Sequence, residues 1–510
     1  MPEGAPTNTP IPPRYRWLKR LGAAAALFVL ALVAVRIWWG HVAECRLQAK
    51  IAEYRAAGQP VLIEDFATAP VPDEENGAYF LRQAASLAQP KEDMTDIAYD
   101  ARRRAEHADE LRQYVAANEP ALKLVRAARS KTRTCWDQKL TSPAFGMVVP
   151  SLSPQRMLAK LACTAALQQH EVGNDAEAIE TLRDILAQAV HVDRTAPILI
   201  THLVAIAIDS LGSSAVESVS HDLRIAPDSA AARDDAQPAT RAQVQDLIRD
   251  LLEAQSLDDA WRRNLYGERM GQVDAMLGLI RSSPTSLLGS ASLVADSFLT
   301  PAWKLDTVAM MERATTILEA GLAPNWPAAH QAALQGAYPQ PRCSADKFAH
   351  LFGSIQTGSD DGAVPLRFRL LADRRMAALA LAIRLYELDH GRRPAALSEL
   401  APDYLPAVPR DPFDADNRPI RYRPDAPSPL LYSVGLNGLD EDGAFQLNKE
   451  GGVDWRAKDI PFFLDGDRPR PSPKRDATRQ PSPRPAAPPA STQAVVDDQQ
   501  PEDADRKQRE

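Results

Sequence analysis

The chain has little of what most enzymes and redox proteins display. Four cysteines occur in 510 residues, Cys45, Cys135, Cys163 and Cys343, and no C-x-x-C pair is among them. That excludes a zinc ribbon and thioredoxin-type chemistry. So few cysteines build no disulfide scaffold either; free buried thiols and one or two disulfides both remain open, Cys135 to Cys163 closing the shortest loop. No H-E-x-x-H, G-x-S-x-G, Walker A or G-x-G-x-x-G phrase is present, and Gly358-Ser359-Asp360-Asp361-Gly362 lacks the nucleophile-elbow spacing. Long basic blocks are missing outside the ends, and 59 basic against 67 acidic residues leave a net charge of -8, which argues against a nucleic-acid partner. The nine histidines are scattered, and His170, His191 and His390 fall near helix C-termini, where a cation suits the helix dipole. No reaction is written in these residues.

What is present begins with a membrane signal. Arg14, Arg16, Lys19 and Arg20 precede the uncharged run Leu21 to Val35, and Arg36 leads into Ile37, Trp38 and Trp39. If Arg36 snorkels, the apolar element reaches Trp39, about the ~30 Å a bilayer requires, with the tryptophans in the interfacial belt. A cleaved signal peptide is the alternative, but the nearest candidate site, His41-Val42-Ala43, has a bulky first position, and Glu44 before Cys45 argues against a lipoprotein signal. The reading is an uncleaved anchor with a cytoplasmic N-terminus and everything after Gly40 outside. At the other end Arg468 to Pro489 reads RPRPSPKRDATRQPSPRPAAPP, a composition that cannot bury a core.

Between them the periodicity is helical from Glu44 to about Ala337. Ser153-Pro154 opens one helix that closes at Gly173, and Asn174 caps the next, placing Ala178, Ile179, Leu182, Ile185, Leu186 and Ala189 on one face. This hairpin is partly similar to a tetratricopeptide unit, with Gly173 and Ala178 at small-residue positions; Gln169 and Val190 depart from that pattern and no recurrence follows. PILITHLVAIAIDSLG, from Pro197, contains Thr201, His202 and Asp209 and reads as a core helix. Gly58 to Asn76 is a proline-rich connector whose acids Asp73, Glu74 and Glu75 precede a helix start at Asn76, and Pro227 to Pro238 is a polar loop. Trp261, Arg262, Arg263, Tyr266 and Arg269 form a stripe that could meet an anion or partner or be arginines over a packed aromatic face.

The last ordered segment is a helix followed by turns and short strands. DRRMAALALAIRLYELDHGRRP carries an apolar face of Met376, Leu379, Ala380, Ile383 and Tyr386 and stops at Gly391. The phrases LYELDHGRRP, YLPAVPRDPF, IRYR and YSVGLNG follow in that order. Over about 374–460 this resembles the C-terminal half of the major pseudopilins of type II secretion. The resemblance implies a calcium-binding loop after the strand. By position, the carbonyl of Val434 and the side chain of Asn437 match early ligands, Asp459 a late acidic one, and Asp440 and Asp442 add carboxylates. Asn437 stands where the family has aspartate, and Arg456 and Lys458 flank Asp459, so the implied affinity is low. An EF-hand is excluded, because its twelfth position would be Lys449; a merely polar turn is the other reading. The processing phrase of a true pseudopilin is missing before Leu21, and some 330 residues separate anchor from module. The whole layout also looks like that of membrane-anchored planctomycete-type proteins, which implies no activity.

These readings predict a mainly α fold with one transmembrane helix, a body of helical hairpins, a small α+β pseudopilin-like module and a disordered tail. The expected segments are 1–20 cytoplasmic, 21–39 transmembrane, 41–337 extracytoplasmic body, 338–365 linker, 366–464 module and 465–510 tail. The expected role is a non-catalytic scaffold or adaptor at an envelope assembly, with pilin-like subunits as partners. The alternative is an envelope hydrolase whose site is assembled from sequence-distant residues.

Overall fold

A computed structural model describes residues 13–144, 147–226, 237–281, 292–336, 351–448 and 453–466. The proline-rich tail from 467 onward and most of the loop expected at Pro227 to Pro238 lie outside the described residues. The fold is mainly helical. Its first helix, α1 (Pro13–Ala56), is one continuous element with two surfaces. Leu27, Phe28 and Leu30 are 64–67% exposed, whereas Leu47, Ile51 and Tyr54 are buried against Val273 and Met311. An apolar run left bare in the first half of a helix that packs normally in its second half is the pattern of a membrane anchor or signal sequence.

The connector after α1 holds only short 3-10 turns, at Ile63–Phe66 and Asp73–Glu75. Asn76 then caps α2 (Gly77–Leu87), its side chain accepting from the Ala78 amide. The short helices α3 (Glu92–Tyr99), α4 (Ala101–Glu106), α5 (Ala108–Ala117) and α6 (Glu119–Arg129) lead to the hairpin α7 (Leu152–Glu171) and α8 (Asp175–Asp193). Asn174 caps α8 by accepting from the Glu177 amide, as its position predicts. Helix α9 (Leu199–Val219) is apolar enough to span a membrane, but two-thirds of it lies inside the protein, so it is the core helix the sequence suggests.

Three more helices complete the body: α10 (Arg241–Leu252), α11 (Gln255–Arg281) and α12 (Ser292–Gly321), with α13 (Trp326–Gln335) folding back on α12. The sequence stripe on α11 is structural. Trp261 donates to the Leu318 carbonyl, Arg263 donates to the carbonyls of Asp193 and Arg194 at the end of α8, and Arg269 lies 3.9 Å over the Tyr54 ring.

The segment expected to be a linker is half helix. α14 (Leu351–His390) runs through Pro365 because Ala363, Val364 and Phe368 are buried and reward continuation more than the proline costs. This helix contributes Met376, Leu379 and Ile383 to the same core as α7 to α9. Its C-terminal half carries a three-stranded antiparallel sheet, β1 (Arg421–Arg423), β2 (Leu430–Ser433) and β3 (Ile460–Phe463), in that order, with Leu431 opposite Phe462. The module therefore has no core of its own. Glu217 on α9 accepts from the Phe463 amide at 2.8 Å, and the Trp326 amide donates to the Pro412 carbonyl, so body and module belong to one compact unit.

Among the described cysteines, Cys45, Cys135 and Cys163 are free thiols, which removes the Cys135–Cys163 disulfide; burial pushes the Cys163 thiol up to about 12.

Candidate functional site

The loop between β2 and β3 is built around two buried acids. Asp411, from the turn preceding β1, accepts from the Ser433 hydroxyl at 2.6 Å, the Val434 amide at 3.0 Å and the Phe413 amide at 3.0 Å. Arg421 on β1 donates to Asp411 at 2.7 Å, to Asp414 at 2.5 Å and to Asp440 at 3.0 Å. One guanidinium thus ties a turn, a strand and the loop together. Burial opposes ionisation of Asp440, yet the Asp442 amide, Arg421 and the Tyr432 hydroxyl outweigh it and lower its pKa.

Asp459 organises the opposite side of the loop. Its Oδ2 accepts from the amides of Glu441 at 3.1 Å and Gly443 at 2.8 Å. The close turn beneath it needs Gly435, whose φ is +67° and where an added Cβ would lie 2.5 Å from the Lys458 carbonyl. Asn437 accepts from the Leu439 amide and donates to the Ala457 carbonyl and to Glu441. Burial pushes the Asp459 carboxyl up to about 6 against those two amides.

The five residues nominated from sequence are close in the chain but do not form a cage. Asp440 is held by Arg421, and Asn437 is bonded within the loop to the Leu439 amide, the Ala457 carbonyl and Glu441. Of the buried side-chain oxygens here, Asp459 Oδ1 and Glu441 Oε2 have no partner among the described residues. Glu441 is the residue the sequence reading missed. Calcium takes six to eight oxygens, and no group of three or more His, Cys, Asp or Glu among the described residues can hold a metal. As placed, the side chains of Asn437 and Asp440 are already engaged in other bonds.

A second site lies in the body, where the C-terminus of α8 meets α9 and the start of α11. A cavity of about 530 Å³ is bordered by Asp193, His202, Ile206, Asp209, Leu257 and Arg263. His202 Nδ1 lies 2.7 Å from Asp193, whose other oxygen accepts from Asn264 at 3.0 Å. The Nε2 of His202 is buried and has no partner among the described residues. Asp209 sits in the same wall with Oδ2 3.6 Å from Arg374; burial raises its pKa. Asp193 fixes the orientation of the ring, but Nε2 is closed to solvent and, among the described residues, no hydroxyl or thiol is bonded to it as a nucleophile.

The helix-terminal histidines have structural roles, though not all as cations. His170 lies between Asp175 at 2.5 Å and Asp222 at 2.9 Å; burial opposes its charge, but the two carboxylates prevail and raise its pKa. His191 is different. It bonds Thr134 and the Ala128 carbonyl, and burial takes its pKa down to about 4, so it is neutral and does not serve the helix dipole. His390 stacks on Tyr386 at 3.9 Å.

No family model, no curated protein and no solved structure matches the chain.

Proposed function

We propose that this is a single-pass membrane protein with its short N-terminus in the cytoplasm and the bulk of the chain outside, acting as a non-catalytic scaffold or adaptor. The assembly it serves is an envelope assembly of the type II secretion kind, and the α14–sheet region docks to pilin-like subunits. One observation carries the reading: α1 is bare and apolar over Leu27 to Leu30 yet buried from Leu47 to Tyr54, so one helix joins bilayer and body. The basic residues Arg14, Arg16, Lys19 and Arg20 on its N-terminal side support the orientation.

A reporter fused after Gly466 should be active only outside the cytoplasm; recovery of a soluble chain starting near Glu44 would reject the anchor. Because the module shares the body's core, deleting it would unfold the protein. Docking is better tested at Leu439, which is 62% exposed at the loop tip. Affinity capture from membranes should recover pilin-like subunits with the wild type and lose them with Leu439→Glu. A second reading is favoured by the Asp193–His202 pair: an envelope hydrolase using His202 as base. Ester turnover abolished by His202→Gln and kept by Leu439→Glu would select it.

A further inference from the structure

Packing does not account for the whole arginine stripe on α11. Arg263 donates to the carbonyls of Asp193 at 2.7 Å and Arg194 at 3.0 Å, at the C-terminal end of α8, which sets it beside Arg194. Two recesses meet there. One is the cavity of about 530 Å³ between α8, α9 and the start of α11; the other, of about 380 Å³, lies between α11, the connector after α1 and the segment that follows α6. Thr68, Thr134, Arg194, Asp259 and Arg263 border both.

The acids around the two recesses are already engaged. Asp65 is held by Arg55 at 2.6 Å, Asp137 by Arg82 at 3.3 Å and Asp259 by Arg262 at 3.2 Å. Asp193 holds His202 and Asn264, Asp209 faces Arg374 at 3.6 Å, and Glu253 accepts from the Ser256 amide at 3.0 Å. The two guanidiniums at the junction are placed differently. Arg194 is exposed and donates to the Thr132 carbonyl at 3.5 Å, Arg263 donates to the two carbonyls of α8, and among the described residues neither has a carboxylate partner. Burial lowers the pKa of Arg263; Asp193 opposes that shift and the charge of Arg194 adds to it, so an anion between the two arginines would favour both charged forms. A guanidinium also offers its N–H groups as a planar fork that matches a carboxylate.

We infer that this junction binds a small organic carboxylate, its charged end between Arg194 and Arg263 and its apolar body in the larger recess. Apart from its polar rim that recess is lined by apolar side chains, Val190, Ile206, Leu257 and Leu370 among them, the last three buried. Its volume falls within the roughly 300–1,000 Å³ of small-molecule sites, enough for a body of about two aromatic rings. Neither the membrane anchor nor catalysis by His202 is needed for such binding.

The test is isothermal titration of the detergent-solubilised full chain with 2-naphthoate, 2-naphthylmethanol and 2-naphthylmethylammonium, which share the rings and differ in charge, the heat of each into detergent alone being subtracted. The naphthoate should bind saturably and the other two at least about tenfold more weakly, the worth of a charge-assisted hydrogen bond. Arg194→Gln, at an exposed position with one long hydrogen bond to lose, should weaken naphthoate by a similar factor while the thermal midpoint stays unchanged. Ala260→Phe, which narrows the larger recess, should weaken it too, and Leu439→Glu, outside both recesses, should not. Equal binding of the alcohol would reduce the site to an apolar cavity, and tighter binding of the ammonium would show that the carboxylates set its charge. Full affinity in Arg194→Gln or Ala260→Phe would put the ligand elsewhere. Each of these overturns the inference, as does a wild type in which 2-naphthoate gives neither saturable heat nor a shift in thermal midpoint.

Discussion

Replacing Asp459 by asparagine should stabilise the protein at neutral pH. The carboxyl is fully buried, its Oδ2 accepts two amides and its Oδ1 has no partner among the described residues. Its pKa is raised from 3.8 to about 6, so protonation favours the folded state. The sign follows. Below the unfolded value the group is neutral in both states and costs nothing; as pH rises through the folded value the fold must hold a charge it disfavours. At about 1.4 kcal/mol per unit the full cost above neutrality is about 3 kcal/mol, an upper bound once the loop relaxes. Asparagine keeps an oxygen for the Glu441 and Gly443 amides and removes the charge. Thermal unfolding of the detergent-solubilised full chain should therefore show a midpoint raised by a few degrees at pH 7.5 for Asp459→Asn. The gain should shrink to nothing by pH 4. Calcium supplies the refutation: an ion at this loop would keep Asp459 ionised and stabilise by RT ln(1 + [L]/Kd), about 2.7 kcal/mol at a hundredfold excess. If Asp459→Asn lowers the midpoint, and millimolar calcium raises that of the wild type in a chelator-reversible way, the loop is a metal site after all.

Arg421→Ala should be among the most damaging single changes in the C-terminal region, costing about 3–5 kcal/mol because it leaves the buried Asp411 without its cationic partner and Asp414 with Arg418 alone; chemical denaturation reads it. His170 sets a second pH window: its raised pKa makes its stabilisation complete below pH 6.5 and lost as pH rises through the folded value, a slope that His170→Gln should flatten in denaturant midpoints. Tyr54→Ala removes the ring under Arg269 and the hydrogen bond to Thr315, so limited proteolysis should release the body from α1 faster, while membrane retention of the anchor fragment stays intact.

How much of this was legible depended on whether the signal was local. Asn76 and Asn174 could be read as caps because an N-cap acts within three residues. The core burial of α9 was legible because Thr201, His202 and Asp209 are too polar for a lipid-facing helix. Passage of α14 through Pro365 was not: glycine, aspartate and proline at 358–365 carry loop propensity, and burial against distant helices overrode it. At the loop, the acids could be nominated only through the pseudopilin resemblance, and the base that holds Asp440 stands on β1, nineteen residues earlier. Its signal was present in the adjoining phrases RDPFD and IRYR, two acids and an arginine brought together by one turn. The Asp193–His202 pair spans the break between α8 and α9 around Pro197, and no periodicity connects residues on two separate helices.

The continuity of α1 has a mechanical consequence. From Trp39 to Ala56 it is unbroken helix, roughly 25 Å long, with no glycine-proline joint at the membrane exit. A body on such a strut cannot swing like one on a flexible tether; with α1 in the bilayer it rides at a fixed standoff from the headgroups. Any partner must then be sought in a thin slab above the lipid surface, by sliding within two dimensions, and one held farther out in the envelope would have to be brought down to it.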